Sequence, residues 1–305
     1  MRPFPPQHNL ETLIGRYNSK EASYDESSLM VDIFEMKSDQ FDSIGDTVLE
    51  AALLLCTLAF KKFDSNKQYN ILELGCGVGL SGMFVSSLLL TLGDNSSVTF
   101  SDGFSSVLIP LELTIIENFP CIDSEANYPP YNLSIGLEKI DWLHFSPPNS
   151  DSILNREEEN KYLIGSALCY LPEHETLADV IHYFISKLGF REAIICQIRD
   201  RAGVKEFLNR LTLLNLKFIV SDISEEIFDM TQSAIHCRTV DESPGIPIFD
   251  DGECKVRIRK RYFFDLSVLR GETATPSLPA GSSAYRNNLL TTARLEFICI
   301  LISAK

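Results

Sequence analysis

The sequence predicts an α/β protein built on a mostly parallel β-sheet. From about residue 70 onward, short β-rich apolar runs alternate with longer stretches of helical periodicity, as they do where crossover helices connect parallel strands. One such run, ILEL, ends in a glycine-rich turn that leads directly into a helical pattern. The chain is 45% hydrophobic and 23% charged, a composition typical of folded proteins with a sizeable core.

Seven segments have the composition and length of strands. They are residues 69–74, 97–102, 131–136, 161–168, 192–198, 216–223 and 294–303. Helical patterns cover residues 80–92, 104–119, 174–188 and 203–214, and an apolar helix over residues 46–63 precedes the first strand. We expect this first helix to cover one face of the sheet.

Two segments fall outside this alternation. Residues 1–45 are polar, with one predicted strand in LMVDIFEM, and are interpreted as an N-terminal extension. Residues 46–305 are interpreted as the main domain, which carries an insertion at about 224–293.

The insertion contains the basic run KVRIRKRYF at residues 255–263. In a strand, Arg257, Arg259 and Arg261 would share one face. Such cations protect an exposed edge strand from pairing with another chain; the alternative is that they dock a partner.

The charge of the chain disfavours nucleic acids and membranes as partners. With 27 Lys and Arg against 42 Asp and Glu, the formal net charge is −15. Nucleic acids and anionic membranes both attract cations, which are scarce here. We expect no nucleic-acid partner, no membrane partner and a monomer, and the excess of acids favours a cationic partner molecule.

The cysteines and the N-terminus favour an intracellular protein. None of the eight cysteines forms a C-x-x-C motif or a Cys/His pair of zinc-like spacing, and several lie in apolar runs such as LLLCTLAF. The start MRPFPPQHNLE lacks a secretory apolar stretch, and no apolar run reaches the roughly 18 residues of a membrane span. We expect reduced cysteines, no metal, and a cytoplasmic or nuclear location, with the cytoplasm preferred.

The segment ILELGCGVGLSG at residues 71–82 indicates a cofactor site. Gly75, Gly77 and Gly79 lack a Cβ where a ligand would approach the backbone, and the helix N-terminus that follows directs free N–H groups at it. The dinucleotide fingerprint G-x-G-x-x-G would need a glycine where Leu80 stands, which disfavours that cofactor. The simpler alternative is a strand-to-helix turn that needs a flexible backbone.

Acidic residues follow the next two strands. Asp102 ends the second strand, where a carboxylate can accept both hydroxyls of a ribose; alternatively it belongs to a turn with Gly103. Asp141 and Trp142 follow the third strand. Trp142, the sole tryptophan, offers an aromatic face to an adenine and Asp141 an acceptor to its amino group; the alternative is a tryptophan of the core.

The order of these motifs resembles a known protein family. ELGCGVG, TFSD, IDW and GSALCYLPE follow one another as in the seven-β-strand, non-SET protein lysine methyltransferases, particularly the branch that modifies translation elongation factor two. The resemblance covers about residues 30–225 and the final strand. It implies a Rossmann-like, seven-stranded class I methyltransferase fold with an antiparallel last strand. It also implies S-adenosyl-L-methionine as cofactor and a protein lysine as acceptor, with a translation factor as one candidate.

The resemblance also assigns the cofactor-binding residues. In the family, the glycine loop holds the methionine end of the cofactor, the acid after the second strand holds the ribose, and the Asp-Trp pair borders the adenine. The corresponding residues are Glu73, Gly75, Cys76, Gly77, Gly79, Asp102, Asp141, Trp142 and Ser166. Leu49 stands where the family usually has a tryptophan.

The chain departs from the family at the catalytic position. The family carries Asp-x-x-Tyr after the fourth strand, whereas this chain has Ala167 before Tyr170. The family aspartate orients the incoming lysine while the amine loses its proton, since only the neutral amine attacks a methyl group. Tyr170 and Glu173, the nearest replacement carboxylate, are the predicted catalytic residues. Alternatively, Glu173 only opposes the dipole of the helix that follows.

Three functions remain open at this level. The first is transfer of a methyl group to a protein lysine. The second, favoured by Ala167 and Leu49, is a degenerate methyltransferase-fold protein that binds cofactor or a protein partner without turnover. The third is a small-molecule methyltransferase, which would use the same cofactor residues.

Overall fold

The computed structural model describes eleven stretches of the chain. They are residues 11–17, 27–37, 48–65, 67–93, 95–119, 133–147, 160–241, 248–250, 253–272, 289–290 and 297–305. Within them, the strands are β1 (Glu11–Tyr17), β2 (Ser28–Lys37), β3 (Asn70–Leu74), β4 (Ser96–Asp102), β5 (Leu133–Lys139), β6 (Lys161–Ser166), β7 (Glu192–Ile198), β8 (Lys217–Asp222), β9 (Ile235–Asp241), β10 (Ile248–Asp250), β11 (Glu253–Asp265) and β12 (Phe297–Ser303). The helices are α1 (Glu50–Lys62), α2 (Leu80–Leu92), α3 (Ser105–Asn118), α4 (Leu177–Leu188), α5 (Ala202–Leu213), α6 (Glu225–Ala234) and α7 (Leu266–Leu269), and a 3₁₀ helix covers Pro172–Thr176.

The main sheet has the strand order β1-β5-β4-β3-β6-β7-β12-β8. Strands β5, β4, β3, β6 and β7 run parallel to one another, and β12 is antiparallel to both of its neighbours. The predicted α/β fold, with seven mostly parallel strands and an antiparallel last strand, is confirmed.

An eighth strand, β1, extends this sheet by antiparallel pairing with β5. The sequence prediction missed it. Its segment, ETLIGRY, mixes charged residues with a glycine, and a strand at the edge of a sheet can be held by backbone hydrogen bonds to one neighbour without a clear apolar alternation.

Helices cover both faces of the sheet, and two of its central strands are accordingly buried along their whole length. All residues of β3 and β4 are buried, as in parallel strands that are covered on both sides. One cluster of buried side chains includes residues of α1, α2 and α3. A second cluster includes residues of α4 and α5. Because β3 to β7 are parallel, their carboxyl ends lie along one edge of the sheet, whose two faces are covered by helices.

A second sheet joins β2 to the chain that follows α6. Strand β11 pairs antiparallel with β2, β9 and β10. Arg261 lies opposite Asp32 and binds it through two hydrogen bonds of 2.6 and 2.7 Å. Arg259 binds the same carboxylate, and Lys260 binds Glu35 at 2.5 Å.

These contacts overturn the prediction that the basic run is an exposed edge strand. β11 has β2 on one side and β9 on the other, so its cations neutralise acids of the partner strand. Burial alone would raise the pKa of Asp32, but the hydrogen bonds from Arg261 and Arg259 outweigh it and lower that pKa. The side chain of Arg257 is outside the described part of the structure.

The cysteines that the structure describes in full are buried thiols. Cys56, Cys76, Cys169, Cys196, Cys237 and Cys299 are free and buried; Cys121 is outside the described residues. None of the helices in the described stretches has the length and apolar character needed to cross a membrane.

Candidate active site

The glycine loop between β3 and α2 lies at the carboxyl edge of the sheet. Gly75, Gly77 and Gly79 have φ values of +58°, +52° and +83°, a left-handed backbone that other residues rarely adopt. The amide of Cys76 donates to the carbonyl oxygen of Ser101 at 2.8 Å, which ties the loop to the end of β4. Cys76 itself is buried, and burial raises the pKa of its thiol.

Gly75 also meets a steric requirement. A Cβ at this position would lie 2.7 Å from Leu168 Cδ2 and 2.9 Å from Trp142 Cζ2. Three strand-end loops, those after β3, β5 and β6, therefore converge at this glycine. Any side chain here would push the indole of Trp142 away from the loop.

Glu73 supports the glycine loop from beneath. Its carboxylate is buried and accepts a hydrogen bond from the amide of Gly82, in the first turn of α2, at 3.1 Å. Burial raises the pKa of Glu73 to about 8, although the Gly82 hydrogen bond opposes the rise. The hydrogen bond that the structure shows for the Glu73 carboxylate is thus with the backbone of α2. A direct contact between Glu73 and a cofactor stays a prediction.

Asp102 holds two loops and retains free acceptor capacity. Its Oδ2 accepts from the Gly77 amide at 3.2 Å and its Oδ1 from the Phe104 amide at 3.1 Å. Burial raises the pKa of Asp102, and these amide hydrogen bonds oppose that rise. A carboxylate offers about four lone-pair sites, which is more than the amide donors around Asp102 occupy.

Asp141 and Trp142 lie beside Asp102. The amide of Ile140 donates to the carbonyl oxygen of Asp102 at 3.0 Å. Burial alone would raise the pKa of Asp141, but hydrogen bonds from His144 and the Leu143 amide lower it. The indole Nε1 of Trp142 is buried, and no hydrogen-bond partner for it exists among the described residues. A buried N–H group without a hydrogen-bond partner lowers stability, and an acceptor atom of a bound ligand would remove that penalty.

His174 lies between Trp142 and Tyr170 and contacts both rings. The histidine is buried, its Nδ1 hydrogen-bonds the carbonyl oxygen of Leu168 at 2.8 Å, and its ring packs edge-to-face against Tyr170 and Trp142, with centroids 4.3 and 5.4 Å apart. No sequence pattern indicates this role, because it depends on the fold of the loop after β6. His174 thereby positions both aromatic rings.

The predicted catalytic residues differ in their surroundings. Tyr170 is half-buried; burial and the negative charge of Asp102 raise the pKa of its hydroxyl, while the charge of Arg201 opposes them. Glu173 is exposed on the 3₁₀ helix. Ser166 ends β6 and is partly buried. The hydroxyl of Tyr170 is therefore close enough to Asp102, a predicted cofactor residue, for the charge of that carboxylate to act on it.

Ala167 has an unusual backbone. Its φ is +54° and its side chain is buried. Its amide donates to the carbonyl oxygen of Cys196 at 2.9 Å, which fixes the loop to β7. Aspartate and asparagine adopt this left-handed region more readily than alanine does. The backbone at this position would therefore suit an aspartate or asparagine better than the alanine that is present.

Helix α5 supports the loop that carries Tyr170. A Cβ on Gly203, in the first turn of α5, would lie 2.1 Å from the carbonyl oxygen of Leu171 and 3.2 Å from the carbonyl carbon of Cys169. The helix backbone thus lies directly against both neighbours of Tyr170. The position of Tyr170 depends on this contact.

Solved structures of methyltransferases are similar to the chain at low sequence identity. The delta-N METTL16 MTase domain is 7% identical, with 72% of this chain and 84% of that chain covered at a TM-score of 0.40. Coclaurine N-methyltransferase, bound to N-methylheliamine and SAH, is 14% identical, with coverages of 74% and 73% and a TM-score of 0.38. The CcbJ methyltransferase from Streptomyces caelestis is 9% identical, with coverages of 87% and 100% and a TM-score of 0.36. No curated protein matches the sequence.

A family model described as lysine methyltransferase matches residues 29–213, which is more than half of the chain. The matched region includes the glycine loop, Asp102, the Asp-Trp pair and Tyr170. The chain belongs to this lysine methyltransferase family, and S-adenosyl-L-methionine is its methyl donor.

Proposed function

We propose that the protein transfers a methyl group to the side-chain amine of a lysine in another protein. The match of residues 29–213 to the lysine methyltransferase family carries this proposal. The converging strand ends supply a site for it, in which the partly buried Tyr170 lies within reach of the charge of Asp102 and is followed by the exposed Leu171.

The residues present fit S-adenosylmethionine. The glycine loop has the left-handed backbone that the cofactor motif requires, the Asp102 carboxylate can accept from ribose hydroxyls, and Trp142 has a buried donor that finds no acceptor among the described residues. We assign the methionine end to the loop, the ribose to Asp102 and the adenine edge to Trp142 and Asp141. When bound, this cofactor supplies an electrophilic methyl group on a sulfonium sulfur.

Tyr170 has the properties needed to orient the acceptor. Because the pKa of its hydroxyl is raised, the phenol stays protonated and neutral. Its oxygen can accept an N–H of the lysine amine and thereby direct the nitrogen lone pair. The proton lost by the amine passes to water or to Glu173, which is exposed close by in the chain.

An apolar rim favours a protein acceptor. Phe104, Leu143 and Leu171 are 67%, 55% and 48% exposed, and each lies one or two residues after a site residue. Exposed apolar side chains around a site are typical of surfaces that bind another macromolecule. The order of the motifs ELGCGVG, TFSD, IDW and GSALCYLPE resembles the elongation-factor-two branch, and on that ground we propose a translation factor as the acceptor. We also propose that the protein acts as a monomer in the cytoplasm.

A binding protein without turnover is the second candidate, and Ala167 is the observation that favours it. The loop keeps the left-handed backbone at this position but offers no carboxylate to the acceptor. In that case the site would hold the cofactor, and the apolar rim would hold a partner.

Labelled S-adenosylmethionine added to cell extract with the full chain separates the two. We expect labelled protein bands that fade about 100-fold with Tyr170→Phe, while cofactor affinity is unchanged. Tyr183→Phe is the control, because Tyr183 lies on α4 and packs against Phe145 and Phe184. Cofactor binding without any labelled band, across extracts of several cell types, would establish the binding protein instead.

A further inference from the structure

A groove beside Tyr170 carries the opposite charge to the chain as a whole. It has a volume of about 460 Å³ and lies between α5 and strands β8 and β12. Arg199, Arg201 and Lys205 line it together with a single acid, Asp200. The surroundings are thus locally basic in a protein of net charge −15.

The groove borders the loop that carries Tyr170. Arg201 is the residue before α5, and Gly203, two positions later, lies against the backbone on either side of Tyr170. The charge of Arg201 is felt at the Tyr170 hydroxyl. A ligand in the groove would therefore lie next to an acceptor held at Tyr170.

Two of the cations are available to a ligand. Arg199 forms an ion pair with Asp222 at the end of β8. Among the described residues, neither Arg201 nor Lys205 has an ion-pair partner. Leu208 and Val220 add apolar lining, which suits the methylene groups of a side chain.

We infer that this groove binds an acidic side chain of the acceptor protein, close in sequence to the lysine that receives the methyl group. The inference rests on the proposed function and adds specificity to it. A carboxylate matches Arg201 and Lys205 in charge, and the groove has room for one or two side chains. RNA is the less favoured occupant, because the described residues of the lining include no aromatic ring for base stacking and the acidic chain repels a polyanion.

Peptide binding tests the groove without requiring turnover. The probes are fluorescein-labelled peptides with one central lysine, in which a pair of glutamates is moved through the flanking positions, and the same peptides with glutamine. Fluorescence anisotropy with the full chain and saturating S-adenosylmethionine should show about fivefold tighter binding of at least one glutamate peptide. The preference should vanish toward ~1 M salt, where the Debye length is about 3 Å.

Two substitutions locate the effect. Lys205→Glu changes an exposed side chain on α5, and Arg201→Gln removes the other free cation. Either should abolish the glutamate preference, with cofactor affinity and the circular dichroism spectrum unchanged. Arg191→Glu is the matched control: Arg191 is exposed, bonds Asn160 and lies just before β7, at the opposite end of the strand from the groove.

The outcomes discriminate clearly. Equal binding of the glutamate and glutamine peptides, or an equal loss with Arg191→Glu, would overturn the inference. Displacement of the peptide by single-stranded oligouridine at lower concentration than by the glutamate peptide would overturn it in favour of a nucleic-acid site. A glutamate preference that depends on Lys205 in a protein that never methylates the bound peptides or proteins of an extract would support the groove and refute the proposed function.

Discussion

The amide of Gly77 donates a hydrogen bond to Asp102 Oδ2, with 3.2 Å between the two atoms. The acid after β4 therefore holds the glycine loop after β3. One carboxylate thus shapes the glycine loop and, in the proposed cofactor site, would also accept hydrogen bonds from the ribose. Loss of this group affects both functions at once.

Asp102→Asn should weaken S-adenosylmethionine binding about tenfold or more. The amide keeps the size of the side chain but loses the charge and one acceptor oxygen, and charge-assisted hydrogen bonds are worth about 1.5–3 kcal/mol. Isothermal titration measures the dissociation constant. Asp64→Asn is the control, because Asp64 is an exposed acid that bonds Lys67 and Tyr69 beyond the end of α1. Equal affinities for all three proteins would remove Asp102 from the cofactor site.

Ala167→Asp should increase the rate of lysine methylation if the chain is an enzyme slowed by its missing carboxylate. The left-handed backbone, with φ of +54°, accepts aspartate and asparagine more readily than alanine. Ala167→Asn is therefore the matched control that repairs the backbone preference without adding charge. The measurement is kcat/KM with labelled cofactor and the methylated protein identified from extract. An aspartate variant no faster than the asparagine variant would show that the acceptor is oriented by other groups.

Gly203→Ala should lower kcat for methyl transfer more than a substitution elsewhere that lowers the free energy of unfolding by a similar amount. The new Cβ would lie 2.1 Å from the carbonyl oxygen of Leu171, so the loop with Tyr170 must move, at a cost of about 1–3 kcal/mol. Gly93→Ala is the comparison: it strains a left-handed backbone, with φ of +80°, but meets no atom within 4 Å, and costs about 1–2 kcal/mol. Urea unfolding and kcat, measured on both, should separate loop displacement from general destabilisation. Equal kcat values for the two variants would mean that α5 does not position Tyr170.

Local sequence patterns predicted seven of the eight strands of the main sheet, because short β-rich segments such as β3 and β4 are each followed by a stretch of helical periodicity. They also placed Gly75, Asp102 and Trp142 at strand ends that the fold brings together. The pairing of β2 with β11 joins Asp32 to Arg261 across most of the chain, and no local pattern encodes such a distant backbone match. The same limit applies to His174, whose contacts with Tyr170 and Trp142 arise only when the loop after β6 folds.

Glu73→Gln should change how stability depends on pH. Burial raises the pKa of Glu73 from 4.5 to about 8, so between these values the folded chain holds a proton that the unfolded chain has released. The contribution of Glu73 to the free energy of unfolding therefore falls as the pH rises through this interval and levels off above about 8. Glutamine stays neutral and can still accept from the Gly82 amide, which the carboxylate contacts at 3.1 Å. The urea midpoint of the variant, without cofactor, should rise relative to the wild type as the pH increases.

Glu173→Gln, which changes an exposed side chain, is the control for this comparison. The urea midpoint of this variant should change with pH as that of the wild type does over the same interval. Parallel curves for Glu73→Gln as well would show that the carboxylate is ionised and solvated in the folded chain. It would then be available to a ligand, and the assignment of Glu73 as a buried support of α2 would fail. A difference between the urea midpoints of Glu73→Gln and the wild type that grows with pH would instead show that Glu73 is protonated in the folded chain and acts as a buried support of the glycine loop.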